Sequence, residues 1–417
     1  MVNSEWSVRF ANYIFISYVT YLSIVWIFVN YGGRGVDPYV GSGFRWLLIT
    51  IPLLLYIFSN ITLLCLKPKI KKDPIVIFLI LYLLMSFISS TLHLDLKHFS
   101  ETARWVLPVI FIVHYRVKIP LSLLNALYLF TLIVLILTFD SAITDYGYLP
   151  GQTTVNLHQG LWWRVSIWKY LTPPYSAAFS LIVFFANYFL NKSKNRYFFY
   201  ALTIYFIILS GNRTSYLIFM LCFSLLVVFD KNKFNYSRLY STLPFLGVGV
   251  IIGLQLAADL IPLLGIQNEF FNSMILRNDS ANGNVENLSS RVLIIIEHIR
   301  LMESAGLGSF VGIGSDVYNS PNWTANGGFL GGTTDSYVSH LIARDGIGVL
   351  FLLLAFMAFF IKSMKERNLF AYIILLSLLL YTIGYGAWLN LTSPVFVIFL
   401  GFLYQSRIYP INEAYLK

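Results

Sequence analysis

Long apolar segments alternate with short basic ones along this chain, and this pattern limits what it can fold into. Only 12% of the 417 residues are charged, against about 25% in soluble domains. The apolar segments have the length of membrane-spanning helices and lack the two-residue alternation of an outer-membrane barrel. The sequence therefore predicts an all-α polytopic membrane protein with about twelve spans. We place them at roughly 10–29, 46–66, 75–92, 104–115, 120–139, 174–190, 197–210, 215–229, 239–262, 336–361, 369–388 and 391–406.

The net charge of +10 indicates membrane topology rather than nucleic-acid binding. With the N-terminus inside, the predicted inner segments hold most of the 29 Lys and Arg but few of the 19 Asp and Glu. Every second connection is basic, as at 67–72, 192–196 and 362–367, in agreement with the positive-inside rule. Both termini are therefore expected in the cytoplasm.

The predicted helices divide the chain into three units. Residues 1–261 contain nine helices and an outer segment at 140–173, residues 262–335 form a large outward-facing loop, and residues 336–417 contain the last three helices and the C-terminus. The predicted fourth span, 104–115, is short. At about 1.5 Å per residue it does not cross roughly 30 Å of hydrocarbon unless its flanks contribute.

The large loop combines a polar run with many glycines. Ser289 or Ser290 can cap a helix over 292–302, which places Arg291 at the N-terminus of this helix. A helix N-terminus with an arginine is a good phosphate site, although a solvated arginine is an ordinary alternative. The glycines between 306 and 332 predict tight turns and close backbone approach. The loop should thus be partly helical.

A short polar island, Ser210-Gly211-Asn212-Arg213-Thr214, interrupts the apolar residues between two basic segments. The residues from 197 to 229 are too few for two full spans, which need about 40 apolar residues. Either the basic flanks are drawn into the headgroups, or Arg213 lies below the outer surface, where a cation normally faces a polar cavity and marks function. A snorkelling arginine at a helix turn is the alternative.

Arg164 lies among aromatic residues of the outer segment at 140–173. The neighbouring Trp162, Trp163 and Trp168 form either an interfacial aromatic belt or the walls of an outward cavity with Arg164 on its floor. In the second case, the rings offer faces to a sugar or a lipid.

The start of predicted span ten carries further polar candidates. Asp335 is the last carboxylate before the span and is either a general base or a helix cap. Ser336, His340 and Arg344 share one face of a helix. Together with Arg300 of the loop helix, His340 and Arg344 are candidate substrate-binding residues.

The segment LSGNRTSYL at 209–217 resembles an arginine motif of the O-antigen polymerase and O-antigen ligase superfamily. The segment LSSRV at 288–292 is similar to a second arginine segment of this family, and 306–314 is similar to its glycine segment. Arg164 with PPY at 173–175 loosely resembles a further element. The ligase branch begins span ten with a histidine; Asp335 stands at that position here, which favours the polymerase branch.

The resemblance implies a GT-C-like glycosyltransferase of the bacterial inner membrane with a periplasm-facing active site. The implied reaction transfers a growing glycan from undecaprenyl diphosphate onto the next lipid-linked repeat unit. In the family, two loop arginines are thought to hold the lipid diphosphate, and we assign this role to Arg213 and Arg291. We predict that Asp335 is the catalytic base of this reaction.

The expected partners of the chain follow from that reaction. They are the undecaprenyl-diphosphate-linked oligosaccharide, as both donor and acceptor, and the lipid bilayer. A chain-length regulator protein is a further candidate partner. We expect no metal, no cofactor and no nucleic acid.

Two alternatives to a polymerase stay open at this point. One is an O-antigen ligase, which transfers glycan to the lipid A core. The other is a flippase or transporter of lipid-linked oligosaccharide. Ion-coupled carriers usually need ionisable residues at the middle of the membrane, and Asp259 is the only acidic residue that we place well inside a span. The sequence therefore favours an enzyme.

Overall fold

Nearly all of the residues described by the computed structural model are helical, and no strand occurs among them. The structure describes residues 2–31, 42–66, 73–94, 96–115, 117–137, 173–209, 213–231, 298–303, 308–314, 337–365, 368–384, 397–398 and 401. Its helices are α1 (Val2–Tyr31), α2 (Ser42–Leu66), α3 (Pro74–Leu92), α4 (Leu96–Tyr115), α5 (Leu121–Leu137), α6 (Pro173–Leu190), α7 (Arg196–Leu209), α8 (Arg213–Lys231), α9 (Gly308–Val311), α10 (Tyr337–Asp345), α11 (Gly348–Lys365) and α12 (Leu369–Gly384). The described residues thus confirm a helical architecture.

Among the residues that the structure describes, three helical segments are long and apolar enough to cross a membrane. They are residues 6–25 of α1 and the whole of α3 and α11. The predicted span at 239–262 and most of the one at 391–406 lie outside the described residues. The number of spans therefore stays a prediction.

The most deeply buried helices are α6 and α12. Every residue from 177 to 186, and every residue from 369 to 378, is buried. In contrast, α3 and α11 expose large apolar side chains along one face, including Ile80, Leu84 and Leu353. A helix that is apolar all round is typical of the middle of a bundle, so α6 and α12 lie inside and α3 and α11 at the periphery.

The fourth helix is longer than the sequence predicted. Helix α4 begins at Leu96 rather than at residue 104 and has 20 residues, which is about 30 Å of helix. The predicted bounds 104–115 were too narrow, because the flank before Arg104 contributes two further turns. The first two turns of α4 contain the polar residues His98 and Thr102, and polar residues of this kind predicted a loop. In the structure both side chains are fully buried.

The predicted span at 336–361 is divided into two helices. Helix α10 ends at Asp345 and α11 begins at Gly348. Gly346 between them has a φ of +56°, a left-handed conformation that non-glycine residues avoid and that cannot continue a right-handed helix. The prediction of one continuous span was therefore wrong.

The segment 308–314 packs tightly against the α10–α11 junction. The Ile313 amide donates to the Ala343 carbonyl at 2.9 Å, and the Ile347 amide donates to the Phe310 carbonyl at 2.8 Å. A Cβ atom added to Gly312 would lie 2.1 Å from the Arg344 carbonyl oxygen. The predicted close backbone approach of this glycine segment is confirmed.

Several segments that were predicted to be cytoplasmic meet at one end of the helix bundle. The Lys362 Nζ lies 3.1 Å from the Asp73 Oδ2, where α11 ends beside the start of α3. Helix α4 returns to the same end, where the Lys118 amide donates to the Asn12 side chain at 2.7 Å. The junction of α10 and α11 lies at the opposite end, because α11 runs antiparallel to α3 and Gly348 packs on Met85.

We expect Gly346→Ala to lower the free energy of unfolding by more than about 1–2 kcal/mol, the cost of a left-handed non-glycine residue. The added Cβ would also lie 2.4 Å from the Gly312 amide nitrogen. Thermal unfolding in detergent measures the loss. In the control Gly348→Ala the new Cβ lies 3.1 Å from the Met85 Cβ in a helix, so the loss should be smaller. Equal melting temperatures would contradict the assigned strain.

Candidate functional site

A cluster of buried polar side chains joins α3, α4 and α10, and the Asp345 carboxylate lies at its centre. Its Oδ1 lies 2.5 Å from the Nε2 of His98, and its Oδ2 accepts a hydrogen bond from the Tyr82 hydroxyl at 2.6 Å. The side chains of all three residues are fully buried. Because an ionised carboxylate can only accept, the Nε2 of His98 carries the proton in this contact.

The guanidinium group of Arg344 completes the cluster. Its Nη2 donates to the Asp345 Oδ2 at 2.9 Å, and its Nε lies 3.3 and 3.2 Å from the two carboxylate oxygens. The same Nη2 donates to the Thr102 hydroxyl of α4 at 3.3 Å. Removing two charges from water costs several kcal/mol per ion unless they are paired and hydrogen-bonded. Arg344 and Asp345 meet this condition within the cluster.

Histidines attach the loop segments to this cluster. The Nε2 of His93, just after α3, donates to the Gly312 carbonyl at 2.7 Å. The ring of His298 contacts the ring of His340 on α10 with their centroids 5.7 Å apart. With His98, these residues are four of the six histidines in the chain. They connect the α3–α4 hairpin, the loop segments and α10 into one unit.

An open apolar groove lies beside the cluster, along α10 and the start of α11. Its volume is about 310 Å³. The side chains that line it are apolar, and Gly346 adds backbone. The lining residues are Met302, Phe310, Ile342, Gly346, Ile347, Val349, Leu350 and Leu353. Such a groove can receive a hydrocarbon chain.

Arg213 is the first residue of α8, at the same end of the bundle as α10. Two residues later, the Ser215 hydroxyl accepts a hydrogen bond at 2.8 Å from Tyr381, close to the end of α12. Helix α12 also contacts α10. The backbone of Arg213 therefore lies at the end of the bundle that carries the buried cluster.

The structure describes only some of the other predicted site residues. Helix α10 contains His340 and Arg344 four residues apart, and both are buried, so their predicted placement on one helix is confirmed. Arg300 is exposed on the helical residues 298–303. Arg164, Arg291 and Asp335 lie outside the described residues. The roles of all six side chains stay predictions.

Sequence reasoning missed the residues that the structure brings together around Asp345. Asp345 lies within the predicted span 336–361, so the expectation that Asp259 is the only acidic residue well inside a span was wrong. An ionisable residue within a predicted span is a signal of function by itself. That signal was present in the sequence, but its partners His98 and Tyr82 could not be read from it.

The chemistry available to the cluster is limited by its own contacts. Both Asp345 oxygens accept hydrogen bonds from side chains that are buried with it. A carboxylate in this state holds other groups in place. In the part of the chain that the structure describes, no three His, Cys, Asp or Glu side chains are arranged to hold a metal ion.

No protein-family model matches the chain, and no curated protein matches it. The similarity of 209–217 and 288–292 to family motifs therefore stays a resemblance.

We expect Asp345→Ala to lower the free energy of unfolding by about 3–5 kcal/mol, because it leaves the buried Arg344 cation without its carboxylate. Thermal unfolding in detergent measures this loss. Lys362→Met is the control, since the Lys362–Asp73 pair is partly exposed and such pairs contribute about 0–1 kcal/mol. Similar melting temperatures for the two variants would contradict the central role of Asp345.

Proposed function

We propose that the protein is a polymerase of O antigen or a related bacterial surface polysaccharide. It would transfer a growing glycan from undecaprenyl diphosphate onto the next lipid-linked repeat unit. The observation that carries the proposal is the location of α10, of the start of α8 at Arg213 and of the glycine segment 308–314 at one end of the bundle. These elements contain or adjoin the motif residues of the resembled family.

Arg213 would bind the diphosphate of the donor. As the first residue of a helix, it lies beside backbone N–H groups without intrahelical partners and at the positive end of the helix dipole. A guanidinium at such a position can make bidentate contacts to phosphate that a lysine cannot make. We propose that Arg291 provides the second cation from the large loop.

The reaction would break the bond between the anomeric carbon of the glycan and the diphosphate oxygen. A hydroxyl of the acceptor repeat unit forms the new glycosidic bond, its proton passes to Asp335, and undecaprenyl diphosphate leaves. Negative charge develops on the departing diphosphate, so preorganised arginines stabilise the transition state. A general base of this kind contributes about 10²–10⁴-fold to the rate.

The enzyme would act in the bacterial inner membrane, with about twelve helices in a GT-C-like arrangement. We assign the end that contains α10 to the periplasm and the opposite end, with both termini, to the cytoplasm. The contacts of Asp73 with Lys362 and of Asn12 with Lys118 support this assignment. They join segments that the basic residues predict to be cytoplasmic.

The apolar groove along α10 and α11 supports a lipid-linked substrate. It opens beside α11, a helix that is apolar enough to span a membrane. An isoprenoid chain in the groove would hold its diphosphate near the end of the bundle that contains Arg213. The sugars would then extend towards the large loop.

A transporter of lipid-linked oligosaccharide is the second candidate, and the buried Asp345, Arg344 and His98 favour it. Ionisable residues inside membrane proteins frequently mark ion or proton pathways. Deletion of the gene separates the candidates by the fate of the repeat units. Loss of a polymerase leaves single repeats attached to the lipid A core, whereas loss of a flippase traps them inside. Loss of a ligase leaves them unattached.

We expect Arg213→Ala and Arg291→Ala to abolish chain extension while the protein still inserts into the membrane. Arg213→Lys should also be poor, because a lysine makes no bidentate phosphate contact. Gel analysis of surface glycan, with the protein level in the membrane fraction as the control, measures both effects. Long-chain glycan from both alanine variants would refute the diphosphate role.

We expect Leu350→Trp to raise the KM for the lipid-linked repeat unit, because the indole fills the apolar groove. A cost of about 1 kcal/mol for overpacking corresponds to roughly fivefold. Met357→Trp is the control, since this exposed residue lies two turns further along α11 and does not line the groove. Kinetics with reconstituted protein compare the two variants, and equal KM values would exclude the groove as the lipid site.

A further inference from the structure

The contacts of Asp345 join three helices that are far apart in the sequence. Tyr82 of α3 and His98 of α4 both bind the carboxylate of α10. The contacts to α3 and α4 are hydrogen bonds of 2.6 and 2.5 Å between fully buried groups. Asp345 thereby fastens α10 to the α3–α4 hairpin.

Stability of the fold does not explain this arrangement. Replacing a buried ion pair with apolar side chains of similar size is often neutral or stabilising, whereas removing only one partner is strongly destabilising. Helices in a membrane protein can also pack through apolar contacts alone. The buried Arg344–Asp345 pair is better explained by a role in fixing how one helix is oriented against its neighbours.

The helix whose orientation has to be fixed is α10. It has nine residues, too few for a helix to be stable by itself, and Gly346 separates it from α11. Its buried apolar contacts include Leu341, and Ala343 packs against Ile313. Among the side chains of α10 that the structure describes, Leu341 and Ala343 are the buried apolar ones, so the contacts of Asp345 contribute much of what fixes the angle of α10 to the α3–α4 hairpin.

We infer that His98 and Asp345 are positioning residues for the proposed glycosyl transfer. They act through α10, which begins at Tyr337, two residues after Asp335, the proposed base, and they do not contact the substrate. The inference rests on the proposed function. It assigns to the α3–α4 hairpin a role in holding the site that the motifs of the sequence do not indicate.

The first test is a double variant that removes both charges, Arg344→Met with Asp345→Leu. The melting temperature in detergent should fall less than that of Asp345→Ala, because no buried charge is left unpaired, although the Tyr82 hydroxyl and the His98 Nε2–H lose their acceptor. Chain extension by the reconstituted protein should nevertheless fall about 100-fold, since a misplacement of about 1 Å can have this effect. Wild-type chain extension by the double variant would overturn the inference.

A conservative substitution of His98 separates positioning from packing. In His98→Gln the side-chain amide can still donate to Asp345, whereas in His98→Ala the donor is lost. We expect the Gln variant to retain most of the rate of chain extension and the Ala variant to lose it. The two His98 variants also test the inference if the double variant does not fold. Equal rates of chain extension for His98→Gln and His98→Ala would overturn it.

The ion pair at the opposite end of the bundle offers a matched control. Lys362→Met with Asp73→Asn removes both charges there, and asparagine can still accept the capping hydrogen bond that the Ile75 amide donates to Asp73. Chain extension should be unchanged. A loss as large as that of the Arg344 and Asp345 double variant would show that charge removal acts non-specifically, and it would overturn the inference.

A readout on α10 itself separates this inference from the proposed function. Ile342 is 38% exposed beside the groove, so Ile342→Cys can be labelled with a maleimide in native membranes. The background is Cys65→Ser, because Cys65 is exposed and Cys222 is buried. The Arg344 and Asp345 double variant should change the labelling rate several-fold, and the Lys362 and Asp73 control should not.

Chain extension tests the proposed function, whereas the labelling rate of Ile342→Cys tests the position of α10. If the wild-type protein does not extend chains, the proposed function is wrong, and the labelling rates alone then decide whether the cluster positions α10. An unchanged labelling rate in the double variant would overturn the positioning role even if chain extension by the wild type is confirmed.

Discussion

One end of this helix bundle depends on the contacts of the Asp345 carboxylate. It is buried completely and is bound by a hydroxyl, an imidazole and a guanidinium. A lone carboxylate in this position would be very costly, and so would Arg344 without its counter-ion. The two charges therefore require each other, and both require the donors and acceptors that α3 and α4 supply. This mutual requirement fixes how α10 lies against the hairpin.

Glycines make this arrangement sterically possible. Gly346 turns the chain between α10 and α11, and Gly312 lets the backbone of 308–314 approach the Arg344 carbonyl more closely than any Cβ would allow. The two backbone hydrogen bonds between this segment and the junction satisfy groups that the helix break leaves without partners. Charge pairing and backbone packing thus hold the same junction from two sides.

The two ends of the bundle differ in ways that bear on the proposed function. One end has exposed or partly exposed charges such as Lys362 and Asp73. The other end has the buried cluster, the apolar groove and the first residue of α8, Arg213. An enzyme for lipid-linked glycans needs a groove for hydrocarbon, cations for diphosphate and a rigid frame between them. The described residues offer the groove and the frame, and the family resemblance supplies the proposed cations.

The sequence by itself determined the helical class, the basic segments and the close backbone approach of 308–314, because length, hydropathy and glycine content are local properties of the chain. It did not reveal that α4 starts at Leu96 or that the apolar run after residue 336 breaks at Gly346. Only tertiary structure decided these features, since polar residues such as His98 become helical and buried when they find a partner. For His98 that partner is Asp345, which lies more than 200 residues away, and periodicity within one segment carries no information about such a contact.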